Sequence, residues 1–185
     1  MADVLEVLQK RVTVRKYLDE QLKKEEIEAI VKAGLGAANA MNRQSWFFTV
    51  VQNQNLLKEI SGAVAAVMVE SNVPSLVERG KDKNFSCFHH APTVVFISGD
   101  GTHYSNADCA NAAQNICNAA AFLNIGSCYI GSFVQGFNHP TGKDLLEKFN
   151  LPPNYKPVFA VALGYPKDAV VLKEKERSEK VAYIL

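Results

Sequence analysis

The chain has 185 residues, of which 48% are hydrophobic and 21% are charged. This apolar fraction is large enough to offset the entropy of ordering, so the composition excludes disorder as the main state. The 20 basic residues nearly balance the 19 acidic ones, and a net charge of +1 predicts no general attraction to nucleic acids or anionic membranes. No apolar stretch is long enough for a transmembrane helix. We therefore expect one globular domain over residues 1–185, with neither a nucleic-acid nor a membrane partner.

Two features bear on the cellular compartment and on metal binding. The first ten residues include Asp3 and Glu6 and no long apolar core, so we expect no signal peptide and a cytoplasmic location. His89 and His90 follow Cys87, but this spacing is not a usual zinc pattern, and we expect no metal. The cysteines lack the C-x-x-C spacing, so we expect free thiols, most of them buried. They are Cys87, Cys109, Cys117 and Cys128.

Hydrophobic periodicity predicts helices and strands that interleave along the chain. In chain order these are a helix over 4–11, a helix over 23–35, a strand over 46–51, a helix over 56–68, a strand over 93–98, a helix over 106–123, a short apolar segment over 128–130, a helix over 141–149 and a strand over 158–163. Gly34 and Gly36 are expected to end the second helix, and Pro74 and Gly80 predict a mobile loop over 72–84. Few, unevenly spaced strands favour an α+β fold in which helices cover a small sheet.

The longest predicted helix, over 106–123, is rich in alanine and other small residues. We expect it to be buried on nearly all sides, and its small side chains would let another helix approach closely. The chain has no G-x-G-x-x-G fingerprint, no P-loop and no G-x-S-x-G nucleophile motif. The sequence therefore argues against a Rossmann-type dinucleotide site, a P-loop enzyme and an α/β-hydrolase.

A basic segment follows the first helix. If this segment is extended, Arg11, Thr13 and Arg15 share one side, because alternate residues of a strand face the same way. Two guanidinium groups and a hydroxyl are donors that suit a phosphate. The alternative is a solvated basic turn, which the spacing alone favours.

Three further segments are candidates for a binding site. The amide-rich segment 37–46 could meet the edge of a heterocycle, or its asparagines could cap their own backbone. Gly126 and Gly131 flank a short apolar segment, and they either permit close approach to a flat ligand or form a simple turn. Lys175 and Arg177 could close over an anion, or they belong to a solvated charged terminus.

Taken together and in this order, the segments resemble the nitroreductase family of flavin-dependent oxidoreductases, over roughly residues 4–181. Residues 11–17 match the family's Arg-x-Ser-x-Arg/Lys-x-aromatic opening. Residues 37–46 match its Ala-Pro-Ser-x-x-Asn-x-Gln-Pro-Trp motif in part. An Ala-Pro pair at 91–92, an Ala-rich helix leading into Gly-Ser-Cys-x-Ile-Gly, an Ala-Leu-Gly-Tyr-Pro segment and a late basic pair complete the pattern.

The resemblance implies a fold and an activity. The fold would be α+β, with a small mixed or antiparallel sheet covered by helices, in an intertwined homodimer. One tightly bound FMN would lie in each of two sites at the subunit interface. NAD(P)H would be the reductant, and nitroaromatics, quinones or related small molecules would be the acceptors in a ping-pong cycle. No catalytic side chain is implied, because the flavin carries the hydride.

The resemblance also implies roles for individual residues. Arg11, Thr13 and Arg15, with Val12 among them, would hold the phosphate and ribityl side of FMN or its pyrimidine edge. Lys175 and Arg177 would close on the phosphate. The partner subunit would contribute the loop residues Ala38, Asn39, Ala40 and Asn42. The backbone N–H groups around Ile130 and Gly131 would point at the reactive flavin nitrogen, and Asn84 would meet the pyrimidine edge.

The sequence departs from the family pattern in the loop that is expected to meet FMN. Ser45 replaces a proline, and Ala38-Asn39 replaces Pro-Ser, so we expect a less rigid backbone there. The chain also lacks the long helical excursion after Ser98 that covers the substrate pocket in larger members. A flavin-binding module without efficient turnover is an alternative function. A thiol redox protein is a third, which the absence of C-x-x-C disfavours.

Overall fold

The structure is a computed structural model that describes residues 4–170 and 180–184. Its α-helices are α1 (Val4–Lys10), α2 (Lys24–Leu35), α3 (Gln54–Val69), α4 (Pro74–Lys81), α5 (Ser105–Phe122) and α6 (Val134–Asn138). Its strands are β1 (Trp46–Val51), β2 (Thr93–Gly99), β3 (Gly126–Ile130) and β4 (Lys156–Gly164). Short 3-10 helices cover Ala40–Asn42, Pro140–Leu145 and Glu147–Phe149.

The four strands form one antiparallel sheet in the order β1-β2-β4-β3. Trp46 lies opposite Gly99, and Ala162 lies between Val94 on one neighbouring strand and Cys128 on the other. All three long predicted strands are confirmed, and the apolar segment 128–130 lies in β3. The α+β fold predicted from the sequence is confirmed, and its sheet is antiparallel.

Two hydrophobic cores occupy the two faces of the sheet. Because successive strand residues point to opposite faces, Phe96 packs with the core under α3 and α6, while Ile97 packs with the core under α2 and α5. Every residue of β2 is buried, which explains its uninterrupted apolar run. Phe96 also makes edge-to-face ring contacts with Phe88 and Phe133, at centroid distances of 5.4 and 5.2 Å. The sheet is thus the middle layer of three.

Helix α5 is buried on one face only within a single chain. Cys109, Ile116 and Ala120 lie in the core with no exposed surface. On the opposite face, Ala107 and Gln114 are exposed. The expectation that this helix is buried on nearly all sides is therefore wrong for one chain by itself. Its outer face of small and amide side chains is open to a neighbour.

The predicted loop over 72–84 is wrong, because α4 forms there. Pro74 occupies the first turn, where a helix tolerates proline since the N–H it lacks would have no partner inside the helix. Gly80 lies where a Cβ would come within 2.7 Å of the Ala65 carbonyl oxygen, so glycine lets α4 approach α3. Neither residue interrupts the helix.

Two other predicted elements differ from the structure. Gly34 lies inside α2, where a Cβ would come within 2.8 Å of Ile116 Cγ1, and only Gly36 caps the helix. The predicted helix over 141–149 is replaced by two 3-10 helices, and α6 was not predicted. Glycine at 34 therefore serves close packing of α2 on α5, which local sequence does not reveal.

Within the described part of the chain, no helix combines the length and hydropathy that crossing a membrane requires.

Candidate functional site

The basic segment after α1 is extended and lies along the outer edge of β3. The Val14 N–H donates to the Ser127 carbonyl oxygen at 2.9 Å, and the buried Tyr17 hydroxyl donates to the Val14 carbonyl oxygen at 2.6 Å. Val14 packs over Gly126, where a Cβ would come within 2.8 Å of it. Thr13 and Arg15 are exposed, on the side opposite Val14. The alternation of this segment therefore presents Thr13 and Arg15 outward, as the sequence predicts for these two residues, whereas Arg11 is half-buried.

The positive charges of Arg11 and Arg15 both affect the thiol of Cys128, which lies in β3. Burial raises the pKa of the Cys128 thiol, and the nearby positive charge of Arg15, with a smaller effect from Arg11, opposes that rise. Arg11 is half-buried, and it donates from Nη1 to the Val12 carbonyl oxygen at 3.2 Å. The two guanidinium groups, four positions apart in sequence, therefore lie near one place on the edge strand.

The end of β3 offers an unpaired backbone donor. The Ser127 carbonyl points away from β4 toward Val14, and backbone groups of alternate residues in a strand point to the same side. Tyr129 and Gly131 are the next alternate residues after Ser127, so the Gly131 N–H also points away from β4. Among the described residues, nothing accepts a hydrogen bond from the Gly131 N–H. A Cβ on Gly131 would meet only Phe159, at 3.9 Å, so the space beside this amide is open.

The turn before β2 contains His89, whose pKa is affected by the charge of Arg15. Burial lowers the pKa of His89, and the positive charges of Arg15 and Arg79 lower it further. Asn84 opens this turn: its N–H donates to Asp82 Oδ1 at 2.9 Å, and its carbonyl oxygen lies 2.9 Å from His90 Nε2. The charge of Arg15 therefore reaches His89 in this turn.

The amide-rich loop lies elsewhere on the molecule. Its residues 38–42 are half-buried or exposed, and Met41, Asn42 and Gln44 have left-handed φ values of 55°, 52° and 52°. The Ala40 N–H donates to Asp108 Oδ1 at 3.0 Å, and Asn111 Nδ2 donates to the Ala38 carbonyl oxygen at 3.1 Å. The loop is therefore attached to the first half of α5.

The basic segment lies at the other end of α5. Arg11 and Val12 line a pocket of about 430 Å³ together with Ala121 and Asn124, which lie at the last turn of α5 and just beyond it. The helical rise from Asp108 to Ala121 is about 20 Å. Within one chain, the predicted loop residues and Arg11 are therefore separated by most of the length of a helix.

Not every predicted residue can be placed. The pocket beside Arg11 is also lined by the first part of the C-terminal tail, Pro166–Val170. Lys175 and Arg177 lie outside the described residues. Of the predicted cofactor residues that the structure describes, Arg11 and Val12 line this pocket, whereas Thr13, Arg15, Asn84 and Gly131 do not.

The sequence model of the nitroreductase family matches residues 8–165 of the chain. The chain belongs to the nitroreductase family. The match includes the basic segment, the amide-rich loop, α5 and β3, so the family resemblance drawn from the motifs is confirmed.

Relatives and solved structures agree with this membership. A putative NADH dehydrogenase/NAD(P)H nitroreductase of Archaeoglobus fulgidus is 32% identical over 91% of this chain and 88% of the relative. The crystal structure of a nitroreductase with bound FMN from Bacteroides fragilis superposes with a TM-score of 0.89, at 32% identity and full coverage of both chains. A nitroreductase with bound FMN from Desulfitobacterium hafniense has the same TM-score at 25% identity, covering 100% of this chain and 99% of that one.

In this nitroreductase-family chain, hydrogen bonds hold residue 45 in place, at the position where the family pattern has a proline. Ser45 is buried, and its carbonyl oxygen accepts from the Asp100 N–H and from Ser105 Oγ, each at 3.4 Å. Thr102 Oγ1 donates to Ser45 Oγ at 3.5 Å. Residues at and just before the start of α5 therefore hold the end of the loop, although its sequence lacks the proline.

The cysteines of this family member do not form a reactive site. All four are free and buried, as predicted for most of them. Burial raises the pKa of the Cys87 and Cys109 thiols to about 12, which keeps them protonated at neutral pH and makes them poor nucleophiles. Within the described ranges, no cluster of three or more metal-binding side chains occurs. The described residues therefore give no support to thiol chemistry or to metal binding at His89 and His90.

One residue of the site was missed at the sequence level. Asp108 is the single acidic residue of the Ala-rich helix α5. A charged residue within an otherwise small and neutral helix was the available signal, and the structure shows that its carboxylate contacts the predicted binding loop.

Proposed function

We propose that the chain is an FMN-dependent oxidoreductase that uses NAD(P)H to reduce nitroaromatics, quinones or related acceptors. The observation that carries this proposal is the open outer edge of β3. There, Arg11 and Arg15 lie near Cys128, and the Gly131 N–H stands unpaired beside open space. The names of the relatives, which include NAD(P)H nitroreductase and nitroreductases with bound FMN, support the same activity.

The donor set at this edge fits FMN. A phosphate monoester carries nearly two negative charges and needs several charge-assisted donors, which guanidinium groups supply in a planar fork. A flat ring system needs a surface without protruding side chains, and Gly131 leaves that space open. FMN, when bound, would supply the hydride-transfer chemistry.

The chain's own residues would bind and orient the cofactor. Arg11, Thr13 and Arg15 would hold its phosphate and ribityl side or its pyrimidine edge, with Val12 beside them. The Gly131 N–H would donate to the reactive ring nitrogen, at the point where reduction places charge, which is where a fixed donor stabilises a transition state most. Ile130 positions this amide, and Asn84 would meet the pyrimidine edge. No side chain is assigned proton transfer.

The working unit that we propose is a homodimer. The loop of Ala38, Asn39, Ala40 and Asn42 lies about 20 Å of helix away from Arg11, so a second copy is the simplest source of the loop for each site. The outer face of α5 is open in a single chain, and its small side chains permit close helix approach. Lys175 and Arg177 would add two cations at the phosphate.

The proposal also covers the order in which the substrates bind and the cellular location. NAD(P)H would bind and leave before the acceptor binds at the same face, in a ping-pong sequence. The chain would act as one domain in the cytoplasm, where free buried cysteines are stable.

The test is a titration of purified protein with FMN, followed by turnover. We expect quenching of flavin fluorescence with one FMN per chain, and oxidation of NADH or NADPH when menadione or a nitrofuran is added. Initial rates at several acceptor concentrations should give parallel double-reciprocal lines. A protein that takes up no FMN would sink the proposal, and one that binds FMN without oxidising either nicotinamide would support the flavin-binding module instead.

A further inference from the structure

Asp108 is a buried carboxylate with an incomplete set of hydrogen bonds. It lies in the first turn of α5, with 3% of its surface exposed. Its Oδ1 accepts from the Ala40 N–H at 3.0 Å. Its Oδ2 is buried and has no hydrogen-bond donor among the described residues. Burial of an ionised carboxylate is costly unless all of its acceptor sites are used.

Stability of the fold does not account for this charge. The neighbouring buried positions of α5 are occupied by small neutral residues such as Cys109 and Ala112. A neutral acceptor such as an amide oxygen would serve the Ala40 N–H without the cost of burying an ionised carboxylate. The N-terminal end of the α5 dipole offsets part of the cost of burying this carboxylate.

What the carboxylate holds is the strained part of the loop. Ala40 directly precedes Met41 and Asn42, which have left-handed φ values of 55° and 52°. Asparagine adopts such values readily, whereas methionine keeps them only where the surroundings impose them. Asp108 holds the start of this turn, and Asn39 Oδ1 holds its end by accepting from the Gln44 N–H at 2.9 Å.

We propose that Asp108 is a positioning residue, whose carboxylate holds the Ala38–Asn42 loop in the shape that binds the flavin. This inference rests on the proposed function, since it gives the loop its ligand. The same helix would then support the loop of one site from its first turn and the pocket of Arg11 from its last turn.

The experiment compares three variants. Asp108→Ala removes the acceptor for Ala40, whereas Asp108→Asn keeps an amide oxygen in its place. Asn115→Ala is the matched control, because Asn115 Nδ2 donates from the same helix to the Ala33 carbonyl oxygen at 3.2 Å, outside the loop. FMN dissociation constants come from fluorescence quenching, and melting temperatures are measured without FMN.

We expect Asp108→Ala to raise the FMN dissociation constant by about tenfold or more, which corresponds to loss of one hydrogen bond to a charged group. Asp108→Asn should bind FMN nearly as well as the wild type, and Asn115→Ala should lower the melting temperature without changing FMN affinity. Equal FMN affinity in Asp108→Ala and wild type would overturn the proposal. So would equal weakening by Asp108→Ala and Asn115→Ala, or a failure of Asp108→Asn to restore binding.

Hydrogen exchange of the unliganded protein gives a reading that does not need flavin. Asp108→Ala should speed exchange at the Ala40 amide and its loop neighbours while leaving the α3 amides unchanged. A wild-type protein that binds no FMN would overturn the proposed function. In that case, equal exchange rates at the Ala40 amide in Asp108→Ala and in the wild type would also refute the proposal that Asp108 holds the loop.

Discussion

At the scale of single residues, the predicted binding side chains are exposed because their neighbours are anchored. Val14 is fixed by its backbone bond to Ser127 and by Gly126 beneath it, and Tyr17 is buried. Since neighbouring residues of an extended segment face opposite ways, the anchoring of Val14 directs Thr13 and Arg15 outward. The alternation is visible in the sequence, whereas the contacts with β3 that set its direction are not.

Replacement of Arg15 by alanine should weaken FMN binding. Loss of one charge-assisted hydrogen bond is worth about 1.5–3 kcal/mol, so we expect the FMN dissociation constant to rise by about tenfold or more. Lys16→Ala is the matched control, because Lys16 pairs with Asp168 at 3.3 Å on the exposed surface, where such pairs contribute little. Fluorescence quenching measures both, and equal affinities of the two variants would refute the role of Arg15.

Replacement of Gly131 by valine should weaken FMN binding without destabilising the fold. Its φ is outside the left-handed region, and a Cβ there meets nothing closer than 3.9 Å, so the added side chain enters only the space that we assign to the ligand. By contrast, Gly126→Ala should lower the melting temperature, because its Cβ would come within 2.8 Å of Val14. Thermal melts of both variants without FMN, with an FMN titration of Gly131→Val, test this. A wild-type dissociation constant for Gly131→Val would count against the assignment.

At the scale of elements, glycine and proline were the least reliable signals. Pro74 and Gly80 are typical helix breakers, yet Pro74 begins α4 and Gly80 allows it to pack against α3. Their effect depends on what lies opposite, which is a contact between distant parts of the sequence. The strands were well predicted, because apolar and β-branched runs are a local property of the chain.

Two helix glycines should respond oppositely to alanine. A Cβ added at Gly62 of α3 would have no other atom within 4 Å, so Gly62→Ala should stabilise the protein by about 0.4–1 kcal/mol through the unfolded state. Gly34→Ala should destabilise it by about 1–3 kcal/mol, since its Cβ would come within 2.8 Å of Ile116 and 2.9 Å of Phe48. Urea denaturation of both variants measures the change, and effects of the same sign would contradict this account.

At the scale of the whole molecule, the predicted binding loop and the pocket of Arg11 lie toward opposite ends of α5. The loop contacts Asp108 and Asn111, and the pocket of Arg11 includes Ala121. If each site takes its loop from one chain and its arginines from the other, then both halves are present only in a dimer. The exposed face of α5, with Ala107 and Gln114, is a surface that such a partner would cover.

Mixed dimers should therefore complement each other. We expect Arg15→Ala and Asn39→Ala to weaken FMN binding at both sites of their own homodimers. A mixed dimer should regain one site, because one site receives both wild-type halves and the other receives both substitutions. Co-expression with two affinity tags, followed by FMN titration of the doubly purified dimer, measures this. Recovery of no tight site would mean that each site is built within one chain.

The α+β fold, the three long strands and membership of the nitroreductase family could all be predicted from the residues alone. These depend on apolar periodicity and on short motifs, which are properties of neighbouring residues. The three-dimensional structure was needed to show that α4 is a helix and that Gly34 serves packing. It was also needed to show that Asp108 bonds to the loop and that the loop and Arg11 lie far apart in one chain. The reason is that each of these depends on contacts between residues distant in sequence, and packing at close density decides which of them can form. The balanced charge of the chain predicts no general attraction to polyanions, whereas the location of Arg11 and Arg15 beside one strand is apparent only from the structure of the sheet.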